Sequence, residues 1–373
     1  MIQIKVPGRV TERQFSAIMI NTIIGVGILI LPRAAVKFAH TGGTISFLLA
    51  AIFSFINLLI VIKLGLRFPE RNIFQYMNQI VGRVLSKFIS AMILLYWILF
   101  IAIGIRAFSE LIVTAILPTT PLEVIMISII LLIAYLARKD IQIIGRVNEV
   151  YALFLVIPLL ILIIMSLKGG KMVHLFPVFR GHSIANLLKG SISSYFSLLG
   201  FEVIFIFIPH ITTKDLTSKY AFRAWGITTF LMFIIVIVSI AVFGAFELKN
   251  LTWPVFELVK SMQFSSLLFE RLEVAFVAIW VIAIFTTAAN ILYGVSIGTA
   301  QTLDLGDNKT LVFPLLPILY LIALAPRNAY ELFNIIDIIS MVGIIITFVI
   351  PSILLVVAII RGKEGRINNE KDS

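Results

Sequence analysis

The residues best suited to bind a small polar molecule lie inside long apolar runs, and the first of them are two glycines. Gly25 and Gly27 lie about twelve residues into an apolar run that ends at Pro32, close to mid-bilayer if the run spans a membrane. Each glycine weakens a helix by about 1 kcal/mol relative to alanine. An unwound segment here would expose peptide N–H and C=O groups that can hold a carboxylate or another polar group. Close helix packing through small residues is the alternative that this pair alone leaves open.

A second interruption is predicted in the sixth apolar run. Gly200 lies near the middle of that run beside Glu202, and Pro209 lies at its far end. Interrupted hydrophobic segments in corresponding positions of two halves of a chain are the best sequence indication of a transporter-type binding site. The two interruptions together therefore favour a binding site over simple packing.

Residues on four predicted helices are candidates for lining this site. Polar residues in an apolar run tend to face the bundle interior, and residues spaced i, i+3, i+4 share one helical face. Ordinary packing explains the aromatic candidates equally well. The predicted ligand-binding residues are Thr22, Gly25, Val26 and Gly27 in the first run, Trp97, Phe100 and Ile101 in the third, Leu199 and Gly200 in the sixth, and Thr287, Asn290 and Tyr293 in the eighth.

Charged and hydroxyl groups inside the apolar runs are costly to bury and need a reason to be there. Glu202 and Thr286 are candidates to hold a proton or a sodium ion. A threonine hydroxyl can equally bond to its own helix. Arg106 and Glu110 are spaced i, i+4, and they are predicted to form a structural ion pair.

The residue sets typical of enzymes are missing from the sequence. The chain has no cysteine, and its four histidines are far apart without ligand spacing. The Gly-x-Gly at positions 25–27 lacks the rest of a dinucleotide fingerprint. The sequence predicts no catalytic residue, no metal site and no cofactor, apart from possible coupling to sodium ions or protons.

Composition shows what must surround these residues. Of 373 residues, 60% are hydrophobic and 13% are charged, whereas a soluble domain carries about 25% charged residues. So few charges cannot cover a water-facing surface of this size, so the excess apolar surface must face lipid. The net charge of +11 comes from basic residues in short loops between apolar runs, where they set topology and do not indicate nucleic-acid binding.

The apolar runs predict an all-α integral membrane protein with ten transmembrane helices in a single domain, residues 1–373. The predicted spans are 14–32, 38–62, 88–116, 124–137, 150–167, 190–213, 224–246, 274–303, 310–326 and 338–360. Five helices per half give two halves of opposite direction, at about 11–167 and 190–360, with a polar tail at 361–373. The first span is expected to be retained and not cleaved as a signal peptide.

Lysine and arginine are about twice as frequent on the side of the N-terminus, which predicts that both termini are cytoplasmic.

Five stretches, taken in order, resemble a known family. They are residues 11–15 (Thr-Glu-Arg-Gln-Phe), 25–32 (from Gly-Val-Gly to Pro), 145–149 (Gly-Arg-Val-Asn-Glu), 200–209 (Gly-Phe-Glu to Pro) and 269–273 (Phe-Glu-Arg-Leu-Glu). Together with the size and the small loops, they resemble the B subunit of spore germinant receptors, the spore germination permease family, within the amino acid–polyamine–organocation (APC) transporter superfamily. The resemblance covers essentially the whole chain, and it rests on the order of the stretches.

The resemblance implies a LeuT/APC-like fold with a 5+5 inverted repeat and discontinuous helices 1 and 6. It also implies a receptor subunit in the spore inner membrane that binds a small amino acid or sugar and signals germination to an A-type membrane subunit and a C-type lipoprotein. An amino-acid permease coupled to sodium or protons is the main alternative, because it needs the same pocket. A structural membrane subunit is the third possibility.

Overall fold

The computed structural model describes residues 8–176, 183–262 and 272–365, and these residues form a helical bundle. The helices are α1 (Glu12–Ile23), α2 (Gly27–Ala39), α3 (Gly43–Arg67), α4 (Ile73–Val81), α5 (Arg83–Ala115), α6 (Leu122–Ala137), α7 (Ile141–Ser166), α8 (Ile184–Tyr195), α9 (Ile204–Phe207), α10 (Thr217–Asn250), α11 (Pro254–Lys260), α12 (Leu272–Thr302), α13 (Val312–Leu324), α14 (Ala329–Ile344) and α15 (Ile350–Ile360). In the described residues, β-pairing is confined to an isolated parallel bridge between Val10 and Ile211.

Side-chain caps explain where two of the helices begin. At the start of α1 the Thr11 hydroxyl accepts the N–H of Gln14 at 3.2 Å, and the Gln14 side chain accepts the N–H of Thr11 at 3.1 Å. Asn72 and Gln75 form the same reciprocal pair at α4. Such a capping box satisfies N–H groups that have no partner inside the helix. It also explains α4, a short helix that hydrophobicity alone did not predict.

The described helices have the pattern of a multi-pass membrane protein. Six helical segments are long and apolar enough to cross a membrane, and the bent helix at 184–210 would add a seventh. α6 and α13 are shorter apolar helices. Leu131, Leu153 and Leu321 are 59%, 62% and 66% exposed on the outside of the bundle, which suits contact with lipid. The membrane class is therefore established, whereas ten crossings remain a prediction.

The first predicted span consists of two helices joined by a short irregular segment. α1 ends at Ile23, Ile24 has a non-helical conformation (φ −79°, ψ 76°), and α2 begins at Gly27. α2 runs through Pro32 as far as Ala39. The interruption thus lies at the two glycines and not at the proline.

The sixth predicted span is also interrupted. After α8, a short 3-10 turn ends at Leu198, Leu199 is extended, and Gly200 has the left-handed φ of +115°. The chain then resumes helical turns from Phe201 to His210, and the two arms differ in direction by 49°. We call α1–α2 the first broken helix and residues 184–210 the second broken helix.

The remaining boundaries differ from the prediction in detail. α8 begins at Ile184, before the predicted start at 190, because Ser183 caps it. Gly244, with φ of +72°, kinks α10, and a π-helical turn at Ile345–Val349 separates α14 from α15. Of the predicted polar tail at 361–373, residues 366–373 lie outside the described part of the chain.

Packing places both interruptions inside the bundle. α1 packs against α7, α10 and α12, and α8 packs against α2 and α3. The largest fully buried side chains include Trp97 on α5 and Trp280 on α12. The two broken helices are therefore enclosed by long helices whose inner faces carry the remaining candidate residues.

Candidate functional site

The two interruptions touch each other. The Ser197 hydroxyl, on the second broken helix, donates to the Gly27 carbonyl at 2.7 Å. A methyl group built on Gly200 would lie 2.5 Å from the Thr22 carbonyl oxygen. The predicted meeting of two interrupted helices is thus present in the geometry, and it requires glycine at the contact because a side chain there would collide with backbone.

A small cavity lies where the two interruptions meet, and we call it the central cavity. Eight of the residues predicted to bind ligand line it: Thr22, Gly25, Val26, Gly27, Phe100, Ile101, Leu199 and Thr287. These eight residues come from α1, α2, α5, α12 and the second broken helix, so the cavity is assembled from parts of the chain far apart in sequence.

Six further lining residues were missed by the sequence analysis: Ile23, Gly104, Phe196, Ser197, Ile284 and Ala288. A signal existed for some of them. Gly104 follows Phe100 by four residues and therefore shares its helical face. Ser197 lies one helical turn before the interruption at Gly200, as a polar residue in an apolar run.

The hydroxyl groups of the central cavity are already engaged as donors. Thr22 donates to the Ile18 carbonyl at 2.6 Å, and Thr287 donates to the Asn21 carbonyl at 2.7 Å. Ser197 is committed to Gly27, as described above. The hydroxyl oxygens therefore remain as acceptors, although the Thr22 oxygen already accepts the Asn290 side chain at 2.9 Å. The N-terminus of α2 lies beside them. Side chains with a formal charge are absent from the lining.

Four predicted ligand contacts lie outside the lining of the central cavity. Trp97 packs edge-on against Phe74 and against Gly294. Tyr293 packs against Phe207, with 5.8 Å between ring centres. Gly200 forms the interruption itself, and Asn290 is taken up by a hydrogen-bonded network. Their part in ligand binding stays a prediction that this geometry does not support.

The network joins three buried asparagines on three helices. Asn21 on α1 donates to the Asn148 side chain on α7 at 3.0 Å. Asn148 donates to Asn290 on α12 at 2.8 Å, and Asn290 donates to the Thr22 hydroxyl at 2.9 Å. All three asparagines are 0% exposed. Asn21 and Asn148 were not recognised from sequence, although each is a polar residue in or beside an apolar run.

Of the two ion or proton candidates, Thr286 is engaged by its own helix. Its hydroxyl donates to the carbonyls of Ile282 and Ala283 at 2.8 and 3.2 Å. This is the alternative that the sequence left open, and it leaves the hydroxyl hydrogen unavailable to a neighbouring helix.

Glu202, the other candidate, is 0% exposed directly after the second interruption. One carboxylate oxygen accepts the Gly200 N–H at 2.7 Å, and the other accepts the Tyr96 hydroxyl at 3.3 Å. Among the described residues no lysine, arginine or histidine forms an ion pair with it. Glu202 therefore holds the irregular backbone of the interruption in place.

Arg106 and Glu110 form the ion pair that their spacing predicts. The closest approach between guanidinium and carboxylate is 3.1 Å, and the Arg106 side chain is almost fully buried. Neither residue lines the central cavity. Their observed contact fits a structural role on α5.

Solved structures with the same fold are membrane transporters. The structure of MhsT in complex with L-phenylalanine matches with a TM-score of 0.67 at 15% sequence identity, over 95% of this chain and 89% of that one. MHP1, a nucleobase-cation-symport-1 family transporter in a closed conformation with bromovinylhydantoin bound, matches with a TM-score of 0.69 at 13% identity, over 95% and 80%. The interrupted helices and these likenesses define a membrane protein of LeuT-like fold.

The particular family follows from sequence. This chain belongs to the spore germination protein family, whose sequence model matches residues 9–332. It is 28% identical to spore germination protein YndE and 27% identical to spore germination protein A2, both of Bacillus subtilis (strain 168). These matches cover 94% and 95% of this chain and 96% of each relative. Spore germination protein GerQB of Bacillus cereus is 25% identical, over 90% of this chain and 92% of that one. The predicted family and the prediction of a non-enzymatic protein are confirmed.

Proposed function

We propose that this chain is the germinant-sensing membrane subunit of a spore germination receptor, and that the central cavity binds a small amino acid with an apolar side chain. The observation that carries this proposal is a cavity between two interrupted helices whose lining has no charged side chain. Such a cavity needs a ligand with no net charge.

The ends of the two broken helices support a zwitterion. The N-terminus of α2 lies at the cavity and brings the positive end of the helix dipole, which favours a carboxylate. The 3-10 turn Phe196–Leu198 ends beside the cavity, and the C-terminal end of a helical turn favours an ammonium group. An amino acid carries these two charges a few ångströms apart.

The side walls support an apolar side chain over a sugar. Phe100, Ile101, Phe196, Leu199 and Ile284 are all apolar. A sugar has several hydroxyl groups, and each one buried without a partner costs about 1–3 kcal/mol. The three hydroxyls of the lining already donate to protein carbonyls, so they can offer a sugar few hydrogen bonds.

The cellular setting belongs to the same proposal. We expect ten transmembrane helices in two inverted halves, both termini in the cytoplasm, and a place in the spore inner membrane. Occupancy of the central cavity would shift the population of helix arrangements, and an A-type membrane subunit with a C-type lipoprotein would receive that change. The spore germination proteins to which this chain is similar support this setting.

Binding tests the proposal most directly. We expect L-alanine, L-valine or L-phenylalanine to raise the melting temperature of the full chain in lipid nanodiscs, and glucose to have no effect. A ligand at about 100 times its Kd stabilises a protein by about 2.7 kcal/mol. Stabilisation by glucose with none by any amino acid would refute an amino-acid site.

Germination then tests the receptor role. Spores that lack this chain should lose their response to the amino acid identified in vitro and keep their response to unrelated germinants. Spores that respond normally without the chain would separate ligand binding from germination and refute the receptor role.

An amino-acid permease is the second candidate, favoured by the transporter fold of the structural neighbours. It predicts that proteoliposomes containing only this chain accumulate labelled L-valine. Thr286 and Thr287 donate their hydroxyl hydrogens to carbonyl groups and keep oxygen lone pairs, so these hydrogen bonds do not exclude sodium, and uptake should be compared in sodium and in potassium. Sodium-driven uptake would favour the permease over the receptor.

A further inference from the structure

A second cavity lies further along α2, away from α1. It is lined by Ile30, Arg33, Ala34, Lys37, Ser193, Phe333, Ile336 and Asp337. Arg33 follows Gly27 by six residues, so the second cavity is roughly 9 Å further along the helix than the central cavity. The two cavities have no lining residue in common.

The charges of the second cavity do not cancel. Lys37 forms an ion pair with one carboxylate oxygen of Asp337, and the Ser193 hydroxyl donates to the other at 3.3 Å. Asp337 is therefore fully engaged. Arg33 is the third charged side chain of the lining, and it leaves this cavity with a net charge of +1.

Arg33 has an aromatic neighbour and feels the charge of Asp337, but it is not in ion-pair contact with that carboxylate. Its guanidinium carbon lies 4.3 Å from the centre of the Phe333 ring. Within residues 8–176, 183–262 and 272–365, it makes no ion pair and no hydrogen bond. An aromatic ring contacts the flat face of a guanidinium group. The N–H donors of the guanidinium lie in its plane, where they can bind both oxygens of a carboxylate.

We propose that the second cavity is a binding site for a small organic carboxylate of charge −1, held by Arg33. One unpaired positive charge matches one negative charge, and Ile30, Ala34 and Ile336 provide an apolar wall for the organic part. A zwitterion suits this cavity less well, because Lys37 already occupies the carboxylate that its ammonium would need. The site is therefore separate from the central cavity in position and in ligand charge, and it does not depend on the proposed function.

Isobutyrate is a suitable probe, because isobutyramide has the same shape without the charge. With the full chain in lipid nanodiscs, saturation-transfer NMR on the methyl groups should show isobutyrate binding and no isobutyramide binding, with empty nanodiscs as background. Inorganic phosphate and L-valine at equal concentration should not displace isobutyrate. Equal signals from the acid and the amide, or displacement by phosphate, would overturn the assignment.

Two substitutions of opposite effect test the role of Arg33. Arg33→Gln should weaken isobutyrate binding by roughly tenfold or more, because a charge-assisted hydrogen bond contributes about 1.5–3 kcal/mol. Asp337→Asn should strengthen binding, by roughly threefold or more, because it frees Lys37 and raises the net charge of the cavity. Unchanged binding in both variants would refute the proposal.

Controls separate this site from the central cavity and from general loss of fold. Arg327→Gln removes an exposed arginine at the start of α14 and should leave isobutyrate binding unchanged. Arg33→Gln should keep the melting temperature of wild type in the absence of ligand, which shows that the variant is folded. Loss of isobutyrate binding in Arg327→Gln would show that the probe responds to general surface charge and would overturn the assignment.

Discussion

Gly25 is a residue of the first broken helix at which the lining of the central cavity leaves little space for a side chain. A methyl group built on Gly25 would lie 3.0 Å from the Thr287 hydroxyl oxygen and 3.3 Å from its methyl carbon. These distances are shorter than ordinary contacts, so the neighbour would have to give way. The conformation of the chain at Gly25 therefore depends on the position of Thr287 on α12.

Gly25→Ala is expected to weaken amino-acid binding. Overpacking of this kind costs about 1–3 kcal/mol, and part of that cost should appear as a roughly tenfold or greater rise in Kd for L-valine, measured by thermal shift in nanodiscs. Gly226→Ala on α10 is the matched control, since no atom lies within 4 Å of its added methyl group. Equal Kd values for Gly25→Ala and wild type would place the ligand elsewhere.

Position 202 should tolerate glutamine but not alanine. In Glu202→Gln the amide oxygen can still accept the Gly200 N–H, and the amide nitrogen can donate to Tyr96. Glu202→Ala leaves both groups buried without a partner, at about 1–3 kcal/mol each. We expect a clearly lower melting temperature for Glu202→Ala alone. A melting temperature in Glu202→Gln as low as that in Glu202→Ala would mean that the negative charge itself is required.

Sequence reasoning found the glycines more reliably than the polar partners. Glycine in an apolar run has few explanations, so Gly25, Gly27 and Gly200 were correctly placed at the two interruptions. Trp97 and Tyr293 have the same residue types and spacing as cavity residues, but they face Phe74 and Phe207. Only the rotation of each helix about its own axis separates the two cases, and neighbouring helices set that rotation.

Among elements, α1, α7 and α12 are connected by the asparagine network. Asn148 lies at its centre, because it bonds to both Asn21 and Asn290. Hydrogen bonds between helices in membranes contribute about 0.6 kcal/mol on average and up to about 1.7 kcal/mol. The network thus fixes the position of α1 relative to two long helices just before the first interruption.

Asn148→Ala is expected to lower the melting temperature and to weaken amino-acid binding. The substitution removes hydrogen bonds from both partners and lets the end of α1 shift toward the central cavity. Asn250→Ala is the control, because Asn250 is exposed and bonds only to its own helix, at Phe246. A melting temperature of Asn148→Ala equal to that of Asn250→Ala would show that the network contributes nothing to the position of α1.

The elements themselves were largely predictable, since continuous apolar runs define buried helices whatever their neighbours. The boundaries were less so. The short helix α4 is set by a capping box, and the early start of α8 by Ser183, both of which are local polar signals that hydrophobicity does not carry. The π-helical turn at Ile345–Val349 comes just before Pro351, which has no N–H to donate within a continuous α-helix.

For the molecule as a whole, the fold is shared with transporters at 13–15% identity, whereas the family is one of germination proteins. Fold alone therefore does not decide between sensing and transport.

A connection at the far ends of the two broken helices bears on the difference between sensing and transport. The Val10 N–H donates to the His210 carbonyl at 2.9 Å, and the Thr212 N–H donates to the Val10 carbonyl at 3.1 Å.

Val10→Pro should loosen this connection, because proline has no N–H to donate. Hydrogen exchange of the Thr212 and Thr213 amides is expected to accelerate in Val10→Pro. Val10→Ala keeps the N–H and serves as the control, so its exchange should remain close to that of wild type. Identical exchange in the two variants would mean that the bridge is already open most of the time.

The same bridge has a consequence for the path of a bound solute. Glu12 adds a further bond to the Thr213 N–H at 3.0 Å, so the start of α1 and the end of the second broken helix are joined by backbone and side chain together. A molecule leaving between these two half-helices must first break several hydrogen bonds at once, each worth about 0.5–1.5 kcal/mol. Occupancy of the protein can then change its energy without any net flux across the membrane. A dormant cell could in this way detect a nutrient while its permeability barrier stays intact.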